Sequence, residues 1–128
     1  MTRVEAEVRF SVPTNKWGVI YARRRVSQLL TCLNLPGCAQ DTEPLLTELV
    51  NNAVEHTGTG PTVRLLVGEA VRIEVGDPDP KPVEFTEPSG DPERGWGLAM
   101  VADEADRHGC VVEPAGKRVW FELDRGRG

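Results

Sequence analysis

Glu48-Leu49-Val50-Asn51-Asn52-Ala53-Val54-Glu55-His56 is the stretch on which the reading of this chain turns. At ~100° of rotation per residue, Leu45, Leu46, Leu49, Val50, Ala53 and Val54 fall on one continuous arc of a helix. Glu48, Asn52 and Glu55 fall on a second arc beside it, with His56 at the border. Residues four apart stack on one helix face, so Glu48 lies one turn from Asn52. A carboxylate and a carboxamide along the rim of a buried helix suit a nucleotide site with a metal. Glu48 would act as a base on a nucleophile, and the Asn52 oxygen would ligate a hard cation. Taken alone, a helix with an apolar underside and a solvated polar face is the simpler account, and the rest of the chain has to decide.

The 128 residues suffice for one domain with a real core, 1–128, and are too few for two. A hydrophobic content of 39% with 27% charged residues is ordinary for a soluble globular protein. No apolar run approaches the ~20 residues of a membrane span, and Met1 to Glu7 lacks the apolar segment of a signal peptide. Three cysteines, Cys32, Cys38 and Cys110, without CxxC spacing and with only two histidines, argue against a zinc site. They fit reduced thiols in a cytoplasmic protein. A net charge of −5 argues against direct nucleic-acid binding. Arg23-Arg24-Arg25, the one basic cluster, reads first as a solvated helix face.

Val4 to Val12 alternates as a strand, and Pro13 ends it. Val19, Ala22, Val26, Leu29, Leu30 and Leu33 recur at helical spacing, and Leu35-Pro36-Gly37 stops that run. Asp41-Thr42-Glu43-Pro44 predicts a helix entry, with Asp or Thr as cap and Pro in the first turn, and Gly58 to Pro61 breaks the helix. Thr62 to Val67 and Val71 to Val75 are β-branched runs joined by Gly68-Glu69-Ala70 as a hairpin. Gly76 to Arg94 is proline-rich and patternless, which suits a functional lid. Gly95-Trp96-Gly97 opens a third helix, with Leu98, Val101, Ala102 and Ala105 on one face and Gly109 as its stop. Val111-Val112 and Val119 to Leu123 close the chain as a hairpin around Ala115-Gly116-Lys117. Trp17 and Trp120 are expected in the core or on a sheet face. The order predicts an α+β two-layer sandwich, a mostly antiparallel sheet with three helices on one face.

Three polar stations punctuate this order: the Glu48/Asn52 helix, Asp77 where a strand gives way to the long loop, and Gly95-Trp96-Gly97-Leu98 at a helix start. Free N–H groups at such a start, with the helix dipole, favour a phosphate. Each station is weak alone; their order and spacing together are not.

In these residues the chain resembles the small bacterial anti-sigma-factor serine kinases of the GHKL ATPase superfamily, from about Val4 to Leu123. The first box of that family, E-x-x-x-N-A-x-x-H, matches Glu48 to His56 in full. The resemblance implies a Bergerat-type ATP-binding fold with Glu48 as general base and Asn52 as the Mg²⁺ ligand. The D-x-G-x-G box aligns with Asp77-Pro78-Asp79-Pro80, so Asp77 would receive the adenine amino group. The G-x-G-L box is Gly95-Trp96-Gly97-Leu98, which would close a lid of about residues 78–94 on the phosphates, with Arg94 as a further γ-phosphate or partner contact. The chain departs from the pattern at Pro78 and Pro80, where glycines are usual, and at Trp96, where a basic residue is frequent. Arg118 stands where a small hydroxyl residue often helps to hold adenine.

The resemblance thus implies an ATP·Mg²⁺-dependent serine/threonine protein kinase and anti-sigma factor. Its partners would be a sigma factor, an anti-sigma antagonist, or both, and a homodimer is compatible with the family. The alternative is a catalytically weak or inactive module that binds its partner with or without nucleotide, for which the lost glycines and Trp96 speak. His56, at the helix end, reads as a packing or capping residue.

Overall fold

The computed structural model describes residues 4–85 and 97–126. Its elements run β1 (Ala6–Ser11), α1 (Gly18–Cys32), α2 (Pro36–Thr57), β2 (Thr62–Val67), β3 (Ala70–Asp77), α3 (Gly97–Glu104), β4 (Arg107–Glu113) and β5 (Gly116–Asp124). The strands form a five-stranded sheet in the order β1-β2-β3-β5-β4, with every neighbouring pair antiparallel. Strand alternation sends Val63, Leu65, Val67, Val71, Ile73, Val75, Val119, Phe121 and Leu123 to one face, where all are buried. Against them lie Ala22, Val26 and Leu30 of α1 and Leu45, Leu46, Leu49, Val50 and Ala53 of α2. The apolar arc expected beside Glu48 is therefore the buried side of α2, with Val54 at its half-buried margin. The α+β sandwich expected from the sequence is the fold observed.

The other face of the sheet carries charge. Glu74, in the central strand, is held by Arg72 (Nε–Oε2 2.8 Å), Arg118 (3.2 Å) and Arg64 (3.5 Å), and its side chain is only 6% exposed. Arg72 also pairs with Glu122 and lies 4.0 Å over the Trp120 ring. Trp120 is thus a sheet-face residue, as expected. Its indole crosses the position of Gly109, where a Cβ would stand 2.8 Å from the ring. Gly109 makes room for Trp120 inside β4 and does not end a helix; α3 stops at Glu104, and β4 begins well before Val111.

Other boundaries moved for identifiable reasons. α1 and α2 are joined at Asn34, which adopts φ +62°, a conformation that Asn tolerates better than most residues. Pro36 then opens α2 in its first turn, so the helix begins before the expected Asp41/Thr42 cap and Pro44 lies inside it. Pro44 forgoes the hydrogen bond to the carbonyl one turn back, at about 3 kcal/mol in a helix interior. The burial of α2 along Leu45 to Ala53 offsets that loss. Thr42 is buried instead of capping, and its hydroxyl has no hydrogen-bond partner.

Trp17 is not in the core. It precedes α1, is 59% exposed, and has Lys16 Nζ 5.2 Å from its ring. The basic cluster divides its tasks: Arg23 pairs with Glu43 of α2 (3.0 Å), while Arg25 lies over Phe10 and donates to the Tyr21 hydroxyl. Cys32, Cys38 and Cys110 form no disulfide. Among the described residues, no helix is long and apolar enough to cross a membrane.

Candidate functional site

α2 runs along the sheet against β3 and β5 and also packs on α3. It is therefore the common neighbour of the elements that carry the other two stations. Glu48 and Asn52 are both half-buried on it, and Glu55 is exposed. Burial pushes the Glu48 carboxyl above the usual carboxylate range, and the nearby charge of Glu55 adds to the rise. A carboxylate whose proton affinity is raised is better suited to accept a proton from a hydroxyl than a freely solvated one. The His56 side chain lies outside the described residues, as do Arg94, Gly95, Trp96 and the lid beyond residue 85. Gly97, the first residue of α3, has φ +56°, which a glycine adopts without the strain of a Cβ. Leu98 follows it into the core.

Among the described residues, no group of three or more His, Cys, Asp or Glu side chains is placed to hold a metal ion. Mg²⁺ does not need one. It keeps several waters and takes one or two protein oxygens beside substrate phosphates, so the Asn52 carboxamide oxygen is a sufficient kind of protein ligand.

Asp77 has a cationic partner of its own chain. Asp77, the last residue of β3, pairs in register with Lys117 of β5. Lys117 Nζ stands 3.0 Å from Asp77 Oδ1 and 3.0 Å from the Asp79 carbonyl oxygen, and the two side chains are 0% and 1% exposed. Asp77 Oδ1 also accepts the Asp79 N–H at 2.8 Å, and Asp79 Oδ1 accepts the Lys81 N–H at 3.0 Å. These two side-chain turns take up the N–H groups that Pro78 and Pro80 leave in the segment. At Gly116, a Cβ would lie 2.0 Å from the Asp77 carbonyl oxygen, so glycine is what lets the two strands close here. A shallow depression of about 310 Å³ lies at this end of the sheet, lined on the charged face by Thr62, Gly76, Glu113 and Arg118 and bordered by Pro78, Gly116 and the sealed Asp77–Lys117 pair.

Arg118 does not share the Asp77 side of the sheet. Its neighbour Lys117 does, and Arg118 turns to the opposite face to bond Glu113 and Glu74. The residue types of Ala115-Gly116-Lys117 suit a turn, yet Lys117 belongs to β5. The signal that could have found it is parity, since Lys117 stands two residues before Val119 in the series Val119, Phe121, Leu123 that faces the helices.

No family model matches the sequence, and no curated protein matches it. Among solved structures, the chain is similar to the crystal structure of the RsbU and RsbW domains of Rv1364c from Mycobacterium tuberculosis. The TM-score is 0.70 and the identity 17%, over 93% of this chain and 32% of that one. This chain thus spans about a third of the length of that solved chain. At such identity the likeness is one of fold: five antiparallel strands with three helices among the described residues.

Proposed function

We propose that this chain is an ATP-binding regulatory domain that transfers the γ-phosphate to a serine or threonine of a protein partner. The observation that carries this reading is the pair on α2: Glu48, half-buried with a raised proton affinity, one turn from Asn52. The full first-box match and the shared fold support it. Phosphoryl transfer asks mainly for positioning and charge neutralisation, so few protein groups suffice. Asn52 would hold Mg²⁺, which neutralises phosphate charge. Glu48 would orient the hydroxyl and accept its proton. Gly95, Trp96, Gly97 and Leu98 are assigned to the phosphate side by the box they form, with Arg94 beside it as a further γ-phosphate or partner contact. The partner would be a sigma factor, an anti-sigma antagonist, or both, in the cytoplasm, and the chain could act as a homodimer.

Calorimetry with Mg·ATP, followed by transfer of labelled γ-phosphate into acid-stable phosphoprotein in a bacterial lysate, tests this. Glu48→Ala should retain ATP binding and lose transfer. Transfer by Glu48→Ala at the wild-type rate would remove Glu48 from its role.

The Lys117–Asp77 pair favours a second reading, a module that sequesters its partner without catalysis. Absence of ATP binding with excess Mg²⁺ would leave only that one.

A further inference from the structure

We infer that the outer edge of β4 is a self-pairing surface. A second copy of this chain adds its own β4 antiparallel, about a two-fold axis at Cys110, and the two sheets become one. β4 has one neighbour, β5, so its other side is an edge among the described residues. The ladder decides which backbone groups face that edge. The Glu122 carbonyl oxygen turns towards β4, where it accepts the Asp106 N–H at 3.0 Å. Arg107, opposite Glu122 in register, therefore turns its own groups inward, as do Gly109, Val111 and Glu113. His108, Cys110 and Val112 turn theirs outward.

This edge lacks the guards that edges usually carry, namely charge, lysine or proline along the strand. β1, the opposite edge, has Glu7 and Arg9 in its middle. β4 reads Arg107-His108-Gly109-Cys110-Val111-Val112-Glu113, with no acid, lysine, arginine or proline between its ends. Val111 and Val112 are 38% and 52% exposed.

Self-complementarity selects a second copy as the occupant. Pairing about Cys110 sets Arg107 opposite Glu113 of the second copy, and the two-fold axis repeats that pair. His108 then meets Val112, and Gly109 meets Val111. Every such pair shares a side of the sheet, as antiparallel partners must. Arg107, Gly109, Val111 and Glu113 stand on the charged side, and His108, Cys110 and Val112 stand on the helix side. The three outward residues exchange their backbone bonds with the copy, and no like charges meet. One strand pair is a small interface, so the dimer is weak and depends on concentration.

The test is sedimentation of the full chain without nucleotide, so it stands apart from the kinase reading. Wild type should dimerise below about 1 mM. Arg107→Glu alone and Glu113→Arg alone should each dimerise about tenfold more weakly, because like charges then face each other. An equimolar mixture of the two variants should recover the dimer, since each chain then meets its opposite. Arg107 also pairs with Glu122 and Asp124, and Glu113 with Arg118, within one chain. Mixing chains cannot restore those contacts. A wild type that stays monomeric at about 1 mM, or a mixture no tighter than its components, overturns the inference.

Should either variant fail to fold, amide exchange of the native chain decides. The N–H groups of His108, Cys110 and Val112 should exchange fast in dilute protein and slowly in concentrated protein. Those of Gly109 and Val111 should be protected in both. Outward amides whose exchange does not change with concentration overturn the inference.

Discussion

Lys117 faces Asp77 across the β3–β5 ladder, its ammonium 3.0 Å from Oδ1 and both side chains sealed from solvent. Such a pair does not stabilise much relative to an apolar replacement of both members, but loss of one member is costly. Lys117→Met should therefore lower stability by about 3–5 kcal/mol. The double variant Lys117→Met/Asp77→Asn should lose distinctly less than the sum of the two single changes. Urea midpoints for the four proteins measure this, and additive losses would show that the two groups are energetically independent.

Glu48 predicts a pH dependence of opposite sense to that of most carboxylates. Burial and Glu55 raise its proton affinity in the folded state, so the folded chain disfavours the ionised form. Below the unfolded value of 4.5 both states are protonated and there is no penalty; above the raised folded value the penalty is complete. The contribution of Glu48 to stability thus falls as pH rises through that window. The stability difference between wild type and Glu48→Gln should shift against wild type from pH 4 towards neutrality. A difference that is constant with pH contradicts the raised value. If Glu48 is the base, the acid limb of phosphotransfer should sit correspondingly above that of a free glutamate.

On the charged face, Glu74 behaves the other way. Burial works to raise its carboxyl, but the Arg72 hydrogen bond and the charges of Arg72, Arg118 and Arg64 more than offset this and hold it below the usual range. Its stabilisation is complete above the unfolded value of 4.5 and is lost as pH falls through the lower folded value. Glu74→Gln should cost about 1.5–3 kcal/mol near neutral pH. The gap from wild type should close in acid. A penalty that persists undiminished at low pH would assign the effect to packing.

Thr42 offers a stabilising change. Its hydroxyl is buried inside α2 without a partner, and a buried unpaired hydroxyl costs about 1–3 kcal/mol. Thr42→Val removes that group and keeps the branched shape, so the melting temperature should rise. A fall would mean that the hydroxyl has a partner in solution, a bound water above all.

Much of the fold was legible because its causes are local. The apolar arc of α2 follows from the spacing of Leu45, Leu46, Leu49, Val50 and Ala53, and the left-handed Gly58 that ends the helix follows from residue type. The helix entry is ambiguous in sequence because Pro36 and Pro44 are both compatible with a first turn, and only the packing of α2 on the sheet selects between them. Gly109 has the same ambiguity: a helix stop by residue type, a space for the Trp120 ring by assembly.

At the site, the Glu48–Asn52 relation needs only the pitch of one helix, so the sequence by itself determined it. The partner of Asp77 lies 40 residues away and depends on strand register, on the parity that separates Lys117 from Arg118, and on the close approach that Gly116 permits. Those are properties of two strands brought together. Only the tertiary structure decided that Asp77 already holds an ammonium of its own chain.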